Sequence, residues 1–311
     1  MIRRREGSLL IISLWLVTLL SLLAIAIARY LSLEIRLTKY RAARDEATIL
    51  ARDGVFLALQ QLAEDAKQGE KNDAGESSEL AYDWRGDDWA QLTAVATPEP
   101  SRSITLQILD EQRKLNLNAA TKEQLTQLTG STQLAEEIVD ARDEPDPAED
   151  RPASNPPYLA KNAPFAAPEE LGDLPEMTPE AYNIMKDSTT PYAGAGEPLN
   201  INTVTPAVLR ALGVTESTVQ LLERFRQDGG FRQGGLVVLE TLKNEAGVNL
   251  TGTPDGALLS GPLFGVTSNT FTVVSEGRIE RPPVRVRVEA VVRRTGCPGN
   301  APTCVIAWRA G

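Results

Sequence analysis

The stretch SLLIISLWLVTLLSLLAIAIA, residues 8–28, contains no charged residue, no proline and no glycine. At about 1.5 Å of rise per residue, a helix of this length crosses the roughly 30 Å hydrocarbon core of a bilayer. Arg3, Arg4 and Arg5 precede it, and a basic flank of this kind stays in the cytoplasm. We therefore predict one membrane-spanning helix over residues 8–28, with the remaining chain on the side away from the cytoplasm.

Three interpretations of this apolar segment remain open. Small residues at positions 24, 26 and 28 fit a signal-peptidase site, although the apolar run is longer than the usual ~7–15 residues. A plain signal anchor is the second interpretation. The third is that the short basic leader, which ends at Gly7 directly before Ser8, resembles a prepilin leader. A membrane peptidase would then cut between Gly7 and Ser8 and leave the apolar helix in place.

The residues after the membrane segment favour the third interpretation, because the helical pattern continues. No proline occurs between residues 29 and 65. Apolar or small residues recur there at spacings of mostly three or four: Leu33, Leu37, Tyr40, Ala43, Ala47, Leu50, Gly54, Leu57 and Leu62. This periodicity predicts a helix continuous with the membrane segment, about 55–60 residues and ~85 Å long in total. We expect its outer half to pack on a globular head, and the polar run 67–78 to be a loop.

The composition sets limits on function. The formal net charge is −10, and so acidic a surface repels phosphate backbones and suits protein partners or divalent cations. The chain has no histidine, which removes the Ser-His-Asp and Cys-His catalytic devices and the commonest transition-metal ligand. We therefore do not expect an enzyme.

The two cysteines, Cys297 and Cys304, lie close together in GCPGNAPTCV near the C-terminus. Their separation suits a disulfide that closes a Pro/Gly loop between two strands, and a compartment outside the cytosol permits it. Two free thiols are the alternative.

Alternation with a period of two predicts strands on both sides of a long helical block. Before the block, residues 80–96 and 103–110 read as the first strands of a sheet. After residue 261, NTFTVVSEGRI, PPVRVRVEAVVRR and CVIAWRA predict three antiparallel strands. The sheet begun before residue 115 is therefore completed at the C-terminus.

An internal repeat marks the helical block. LNLNAATKEQLTQLTG, residues 115–130, matches LNINTVTPAVLRALGV, residues 199–214, at an offset of 84 positions. In each copy a threonine, Thr121 or Thr205, occupies a helix N-cap position; Gln124 completes a capping box, and Pro206 fits a first helical position. Glycines at 130 and 213 end the short helices, and second helices follow at about 133–143 and 217–227. The block therefore contains two helical hairpins.

Paired helical hairpins suggest a nucleic-acid-binding module as an alternative function. Such a module needs a glycine-rich turn that meets phosphate, with basic residues around it. The turns here are LTGST and LGVTE, and residues 116–150 hold Lys122 and Arg142 among many acidic residues. We therefore expect no nucleic-acid binding, and we interpret the repeated asparagines as structural, bonding nearby backbone at the strand-to-helix corner.

The stretch DARDEPDPAED, residues 140–150, reads as a solvated acidic linker. Its alternative is a calcium-binding loop, because Asp140, Asp143, Asp146, Glu149 and Asp150 supply hard oxygen donors within eleven residues. It lacks the spacing of an EF-hand.

These patterns together predict an α+β fold, in which a long N-terminal helix packs on an antiparallel sheet that carries a large all-helical insertion with two hairpins. The predicted boundaries are a leader at 1–7, a transmembrane part at 8–28, helix and first strands at 29–114, the insertion at 115–255 and the remaining strands at 256–311.

From end to end, the chain resembles the K-type minor pseudopilins of the type II (general) secretion pathway. The matching features are, in order, the Gly7/Ser8 junction with its apolar helix, KLNLNAATKEQL, DARDEPDPAED, YLAKNAPFAAPEEL, LNINTVTPAVLRAL and VRVRVEAVVRR. The resemblance implies a pilin-like sheet with an inserted helical domain. It also implies a tip complex with the I-type and J-type minor pseudopilins, and other type II secretion components as partners.

The resemblance further implies a set of functional residues. Prepilin peptidase would cut between Gly7 and Ser8, with N-methylation of Ser8. Asp140, Asp143, Glu149 and Asp150 would hold calcium. Ile12 stands at the fifth position after the cut, where most pilin-like subunits carry a glutamate that neutralises a neighbour's N-terminus in the apolar fibre core. We expect an inner-membrane, single-pass protein with a periplasmic domain, which starts pseudopilus assembly from the tip. A membrane-anchored periplasmic DNA receptor is the alternative.

Overall fold

The structure, a computed structural model, describes residues 6–71, 82–91, 93–95, 97–143, 161–194, 196–227 and 229–310. The helices are α1 (Glu6–Lys71), α2 (Lys122–Thr129), α3 (Thr132–Arg142), α4 (Pro179–Ser188), α5 (Pro206–Ala211), α6 (Glu216–Gln227), α7 (Leu236–Glu245) and α8 (Pro254–Leu259). The strands are β1 (Thr93–Val95), β2 (Arg102–Asp110), β3 (Leu115–Asn116), β4 (Thr189–Thr190), β5 (Leu199–Asn200), β6 (Phe264–Gly265), β7 (Thr270–Ile279), β8 (Val284–Arg293) and β9 (Cys304–Ala310).

Helix α1 runs unbroken for 66 residues, which is ~100 Å at the usual rise. It is longer than predicted, because residues 67–71 continue the helix where the sequence indicated a loop. That stretch, KQGEK, contains Lys, Gln and Glu, which are good helix formers. The rest of the predicted loop, from residue 72 to 78, lies outside the described residues.

The head is a five-stranded antiparallel sheet, in the order β1-β2-β7-β8-β9, with α1 packed on one face. The predicted α+β class is confirmed. A row of small and aliphatic residues on α1 is buried against the sheet: Ala43, Ala47, Ala51, Val55, Ala58 and Leu62. The predicted stripe is wrong at its lower end, where Leu33, Leu37 and Tyr40 are exposed because the sheet does not reach that far along the helix.

Two glycines allow α1 and the sheet to approach closely. A Cβ on Gly277 of β7 would lie 2.1 Å from the carbonyl oxygen of Ala47 and 2.7 Å from the amide nitrogen of Ala51. A Cβ on Gly54 of α1 would lie 2.1 Å from Oγ of Ser275. Both distances are far below van der Waals contact, so any larger residue would push the helix off the sheet.

The first strand is shorter than the sequence predicted. Of the described residues between 82 and 95, only β1 is a strand, and it pairs with β2. Trp89 lies instead in a one-turn 3-10 helix, Asp88–Ala90, and packs edge-on against Phe271 with ring centroids 5.1 Å apart. This segment therefore covers one end of the sheet core.

The helical insertion lies between β2 and β7, and its end differs from the prediction. Residue 255 was expected to be the last, but α8 and β6 still belong to the insertion: Leu259 and Phe264 are buried in its core. The sheet resumes only at Thr270. The boundary therefore shifts to between residues 265 and 270.

The insertion consists of two copies of one folding unit. In each copy a short strand leads into a helical hairpin and further helical segments, and a second short strand returns parallel to the first. Leu115 of β3 pairs with Thr189 of β4, and Leu199 of β5 pairs with Phe264 of β6. The repeat recognised in the sequence is thus only the first part of each unit.

The predicted capping residues begin and end the hairpin helices. Thr121 caps α2 and forms a capping box with Gln124, and Thr205 caps α5, whose first residue is Pro206. Gly130 follows α2 at a φ of 71°, in the left-handed region that favours glycine. The local sequence therefore determines where these helices start and stop.

Candidate functional site

The N-terminal part of α1 projects away from the head. Every described side chain from residue 10 to 42 is exposed, and an 18-residue window of α1 has mean hydropathy 2.7 with none of it buried. In the described part of the chain, α1 is the one helix long and apolar enough to cross a membrane. Gly7 and Ser8 lie in the first turn of α1. Cleavage between them and methylation of Ser8 remain predictions. Ile12 is exposed on this apolar surface.

A second exposed apolar surface lies on α1 opposite the sheet. Four large apolar residues lie on one side of the helix, because they follow one another at spacings of four, fourteen and seven residues: Leu31, Ile35, Ile49 and Phe56. Phe56 is 64% exposed although α1 is packed on the head at this level. We call these four residues the outer helix face. An exposed row of large apolar side chains of this kind suits contact with another helix.

A group of charged residues, of which Asp83 and Asp110 are fully buried, joins the sheet to the insertion, and we call it the carboxylate junction: Asp65, Asp83, Asp110 and Arg294. Arg294 donates from Nη1 to Asp83 Oδ1 at 2.8 Å and from Nη2 to Asp65 Oδ2 at 2.6 Å. Asp83 Oδ2 also accepts from the amide of Ser268 at 2.6 Å. The end of α1, the segment before β1 and the start of β7 are thereby held together.

Asp110, at the end of β2, connects the same junction to the second repeat unit. Its Oδ2 accepts from the hydroxyls of Ser268, at 2.6 Å, and Thr203, and from the side-chain amide of Asn200 at 3.3 Å. Its Oδ1 accepts from the amide of Gln112 at 2.7 Å. The sequence analysis did not identify this site.

Burial has the largest effect on the pKa values of the junction carboxylates. It raises the pKa of Asp110 from 3.8 to about 6, against the opposing effect of the hydrogen bonds from Ser268 and Thr203. Burial also raises the pKa of Asp83 and Asp65, and in both cases the nearby Arg294 acts in the opposite direction. Asp65 and Asp83 share one guanidinium, and Asp110 has only neutral hydrogen-bond donors, so the junction is a place where pH acts on the stability of the head.

The repeated asparagines have the structural role that the sequence analysis assigned to them. Asn118 exchanges two hydrogen bonds with the backbone of Phe165, and Asn202 exchanges two with the backbone of Phe231. The side chain of Asn200 accepts from the amide of Asn202 at 2.9 Å. These amides fix the strand-to-helix corners of both units.

The predicted calcium ligands are only partly described. Asp140 lies on α3 and is half-buried, and Asp143, directly after α3, accepts from Nε of Arg142 at 3.1 Å. Asp146, Glu149 and Asp150 lie outside the described residues. No group of three or more His, Cys, Asp or Glu that could hold a metal occurs among the residues that are described. Asp140 and Asp143 stand three positions apart, and their carboxylates are chemically suited to a hard cation. Calcium binding by this stretch remains a prediction.

Two exposed basic side chains of the hairpins are paired with carboxylates. Lys122 donates to Glu136 at 2.5 Å, and Arg210 donates from Nε to Glu216 at 2.8 Å. A phosphate group could contact Lys122 and Arg210 only by displacing Glu136 and Glu216, and the negative charges of those carboxylates would remain nearby and repel it. Whether the hairpins bind nucleic acid stays a prediction.

Cys297 and Cys304 are joined by a disulfide in the structure, with Cα atoms 5.7 Å apart. The bond closes the turn between β8 and β9, and β9 is an edge strand of the sheet.

Comparison with known proteins supports the fold. No protein-family model matches the sequence, and no curated protein matches it. The fold is similar to that of a chain in the crystal structure of the GspK-GspI-GspJ complex from the type 2 secretion system of enterotoxigenic Escherichia coli. The TM-score is 0.65 at 20% sequence identity, and the match covers 88% of this chain and 99% of that chain. The likeness shows a pseudopilin fold along nearly the whole chain.

Proposed function

We propose that this protein is a K-type minor pseudopilin of a type II secretion system, which stands at the tip of the pseudopilus and starts its assembly. The observation that carries the proposal is the similarity of fold to a chain of the GspK-GspI-GspJ complex over almost the full length of both chains. The exposed apolar N-terminal helix supports the same role, because it supplies the membrane anchor that such a subunit needs.

The position of the insertion supports placement at the tip. Asp65, near the outer end of α1, contacts Arg294, and β2 and β7 connect to the insertion at this same end of the head. The insertion therefore lies at the end of the head away from the membrane anchor. A bulky domain there obstructs a subunit stacked above it, whereas a terminal subunit has no such neighbour. Ile12 fits the same position, because a terminal subunit has no neighbour above whose N-terminus needs a carboxylate.

The N-terminal residues determine the proposed processing and location of the chain. Prepilin peptidase cuts between Gly7 and Ser8, Ser8 is N-methylated, and the chain stays in the inner membrane as a single-pass protein with its head in the periplasm. The disulfide between Cys297 and Cys304 suits that oxidising compartment. The role is mechanical and makes or breaks no substrate bond: the complex starts a short fibre that moves folded proteins through the outer-membrane channel.

Co-purification of the full chain with its I-type and J-type minor pseudopilins, extracted together from membranes, tests the proposal. We expect a stable complex, and we expect Phe56→Glu on the outer helix face to reduce recovery of the partners at least tenfold. Gln133→Glu, which adds a negative charge at an exposed position of α3 away from this face, is the control and should leave recovery unchanged. Failure of the unmodified chain to recover either partner would contradict the proposal.

We also propose that the acidic stretch binds calcium through Asp140, Asp143, Glu149 and Asp150. The half-buried Asp140 and the neighbouring Asp143 place two carboxylates at the end of α3, where residues 144–150 continue the donor set. Calorimetric titration with calcium should give heats of binding that Asp140→Ala and Asp143→Ala abolish. Equal heats from all three proteins would remove the site.

The alternative function is a membrane-anchored periplasmic DNA receptor that uses the paired hairpins. A gel-shift titration at low salt separates the two proposals. The pseudopilin proposal predicts no shift at micromolar protein, whereas tight, salt-sensitive binding would support the receptor.

A further inference from the structure

The charges of the chain are unevenly distributed along its length. Residues 115–265, the helical insertion, hold more than twice as many acidic side chains as basic ones, so this block accounts for the whole of the chain's net charge of −10. By contrast, residues 29–44 of α1, which join the apolar segment to the part packed on the sheet, hold five basic residues and one acidic residue. The chain is therefore positive next to the apolar segment, although it is acidic as a whole.

The turn between β7 and β8, residues 280–283, adds positive charge at the same end of the head. This end of the sheet is the one nearest the apolar segment, because Arg102, at the start of β2, forms an ion pair with Glu46 of α1 and is the strand partner of Ile279. Three exposed arginines surround the turn: Arg278, Arg281 and Arg285. In the part of the chain that the structure describes, none of the three has a carboxylate partner.

Two of these arginines lie directly opposite each other in the sheet. Arg278 of β7 is the strand partner of Arg285 of β8. Both side chains point to the face of the sheet away from α1, since the next residue along each strand, Ile279 or Val286, is buried in the core shared with α1. Like charges opposite each other on neighbouring strands destabilise a sheet. An anion bound at this end of the head would relieve the repulsion.

The basic side chains at the lower part of α1 lie on the same side of the molecule as the turn. Arg36 and Arg29 precede Ala43, which is buried against the sheet, by seven and fourteen residues. These spacings place both arginines on the side of the helix that carries the sheet. Arg29 directly follows the apolar segment 8–28, so it lies at the surface of a bilayer that this segment crosses. We call the following residues the basic underside: Arg29, Arg36, Arg278, Arg281 and Arg285.

We propose that the basic underside binds the anionic phosphate headgroups of the membrane in which the chain is anchored, so that the head tilts onto the bilayer surface. The inference rests on the membrane anchorage in the proposed function. A bilayer is favoured over an acidic protein as the partner, because Arg29 of the same basic surface already lies at the bilayer surface. Each arginine close to an anionic bilayer contributes about a fivefold gain in association.

The length of α1 between the apolar segment and the sheet permits this contact. At ~1.5 Å per residue from Ala28 to Ala43, the turn lies on the order of 20 Å above the hydrocarbon when the helix stands upright. Membrane helices tilt by up to ~40°, and a tilt of about 30–40° toward the sheet lowers the turn to the headgroup layer. The arginines on that side of the molecule are then the first to meet the phosphates.

Fluorescence quenching of the full chain in vesicles tests the proposal. Pro283→Cys places one free thiol in the turn, and bimane is attached to it under non-reducing conditions so that the disulfide stays closed. The vesicles contain phosphatidylcholine with a nitroxide quencher on a fixed share of the headgroups, either alone or with about one third of phosphatidylglycerol. We expect at least about twofold more quenching in the anionic vesicles, and loss of this increase in ~1 M salt, where the Debye length falls to ~3 Å.

A matched pair of double variants, each made in the labelled chain, locates the contact. Arg281→Gln with Arg285→Gln should weaken association of the head with the anionic surface about 25-fold and so abolish the increase in quenching. Arg224→Gln with Lys243→Gln removes the same charge from two exposed positions of the insertion and should leave the increase unchanged.

Flotation of the vesicles measures the anchorage separately. A chain that floats with both kinds of vesicle but is quenched equally in them overturns this proposal and leaves the proposed function intact. An increase that persists without Arg281 and Arg285 also overturns the proposal, whereas a chain that does not float overturns the anchorage as well. Because the two membranes are compared with the same protein, that comparison stands even where a double variant does not fold.

Discussion

Removing the arginine of the carboxylate junction should destabilise the head strongly. Arg294→Met keeps the apolar stem but removes the guanidinium, whose Cζ lies 4.6 Å from the centroid of the Phe271 ring, and leaves Asp83, which is 2% exposed, without its counter-charge. Loss of one partner from a buried ion pair costs about 3–5 kcal/mol. The bond from Ser268 to Asp83 persists, so we expect the lower end, ~3 kcal/mol. Loss of the contact with the half-exposed Asp65 should add little to this decrease in the free energy of unfolding.

Denaturant unfolding at pH 7.5, followed by the fluorescence of the buried Trp89, measures this loss. The double variant Arg294→Met with Asp83→Asn should recover about 1–3 kcal/mol of it, because the unpaired charge is gone. The deficit of the single variant should also shrink at pH 5, since burial already raises the pKa of Asp83 and loss of Arg294 raises it further. A loss below about 1 kcal/mol, or no recovery in the double variant, would refute the junction as a source of stability.

Three further predictions concern the head and the repeat units. Gly277→Ala should lower the free energy of unfolding, measured with denaturant, by about 1–3 kcal/mol, because the added Cβ meets the backbone of α1. Gly172→Ala, whose Cβ meets nothing within 4 Å, should leave that free energy almost unchanged. Thr121→Ala and Thr205→Ala should each cost about 1 kcal/mol by the same measurement, through loss of the N-cap. Asp110 has a pKa of about 6 in the folded chain, so the folded state binds the proton more tightly than the unfolded state does. Asp110 should therefore contribute a fall of about 1 kcal/mol in the free energy of unfolding between pH 5 and 7.5, and Asp110→Asn should reduce the total fall by that amount.

Local signals in the sequence predicted the parts of the fold that local chemistry determines. Threonine caps, a proline at a first helical position and glycines after the short helices place the hairpins correctly. The same signal was present at the missed end of the insertion, where Thr253 and Pro254 repeat the Thr205-Pro206 arrangement and begin α8. A comparison of those two stretches would have moved the boundary past residue 255.

The carboxylate junction could not be predicted in the same way. Its ion pair joins Asp65 to Arg294, which are 229 positions apart in the chain, and the pair forms only because Asp65 of α1 lies beside the end of β8. No spacing rule connects such residues before the order of the strands is known.

Intact mass spectrometry of the chain recovered from membranes tests the central claim most directly. The account predicts a mature chain that begins at an N-methylated Ser8 when prepilin peptidase is present, and a chain that retains residues 1–7 when the peptidase is absent. A mature chain that begins near Arg29 and is free in the periplasm would contradict it, because the apolar part of α1 would then be a discarded signal peptide.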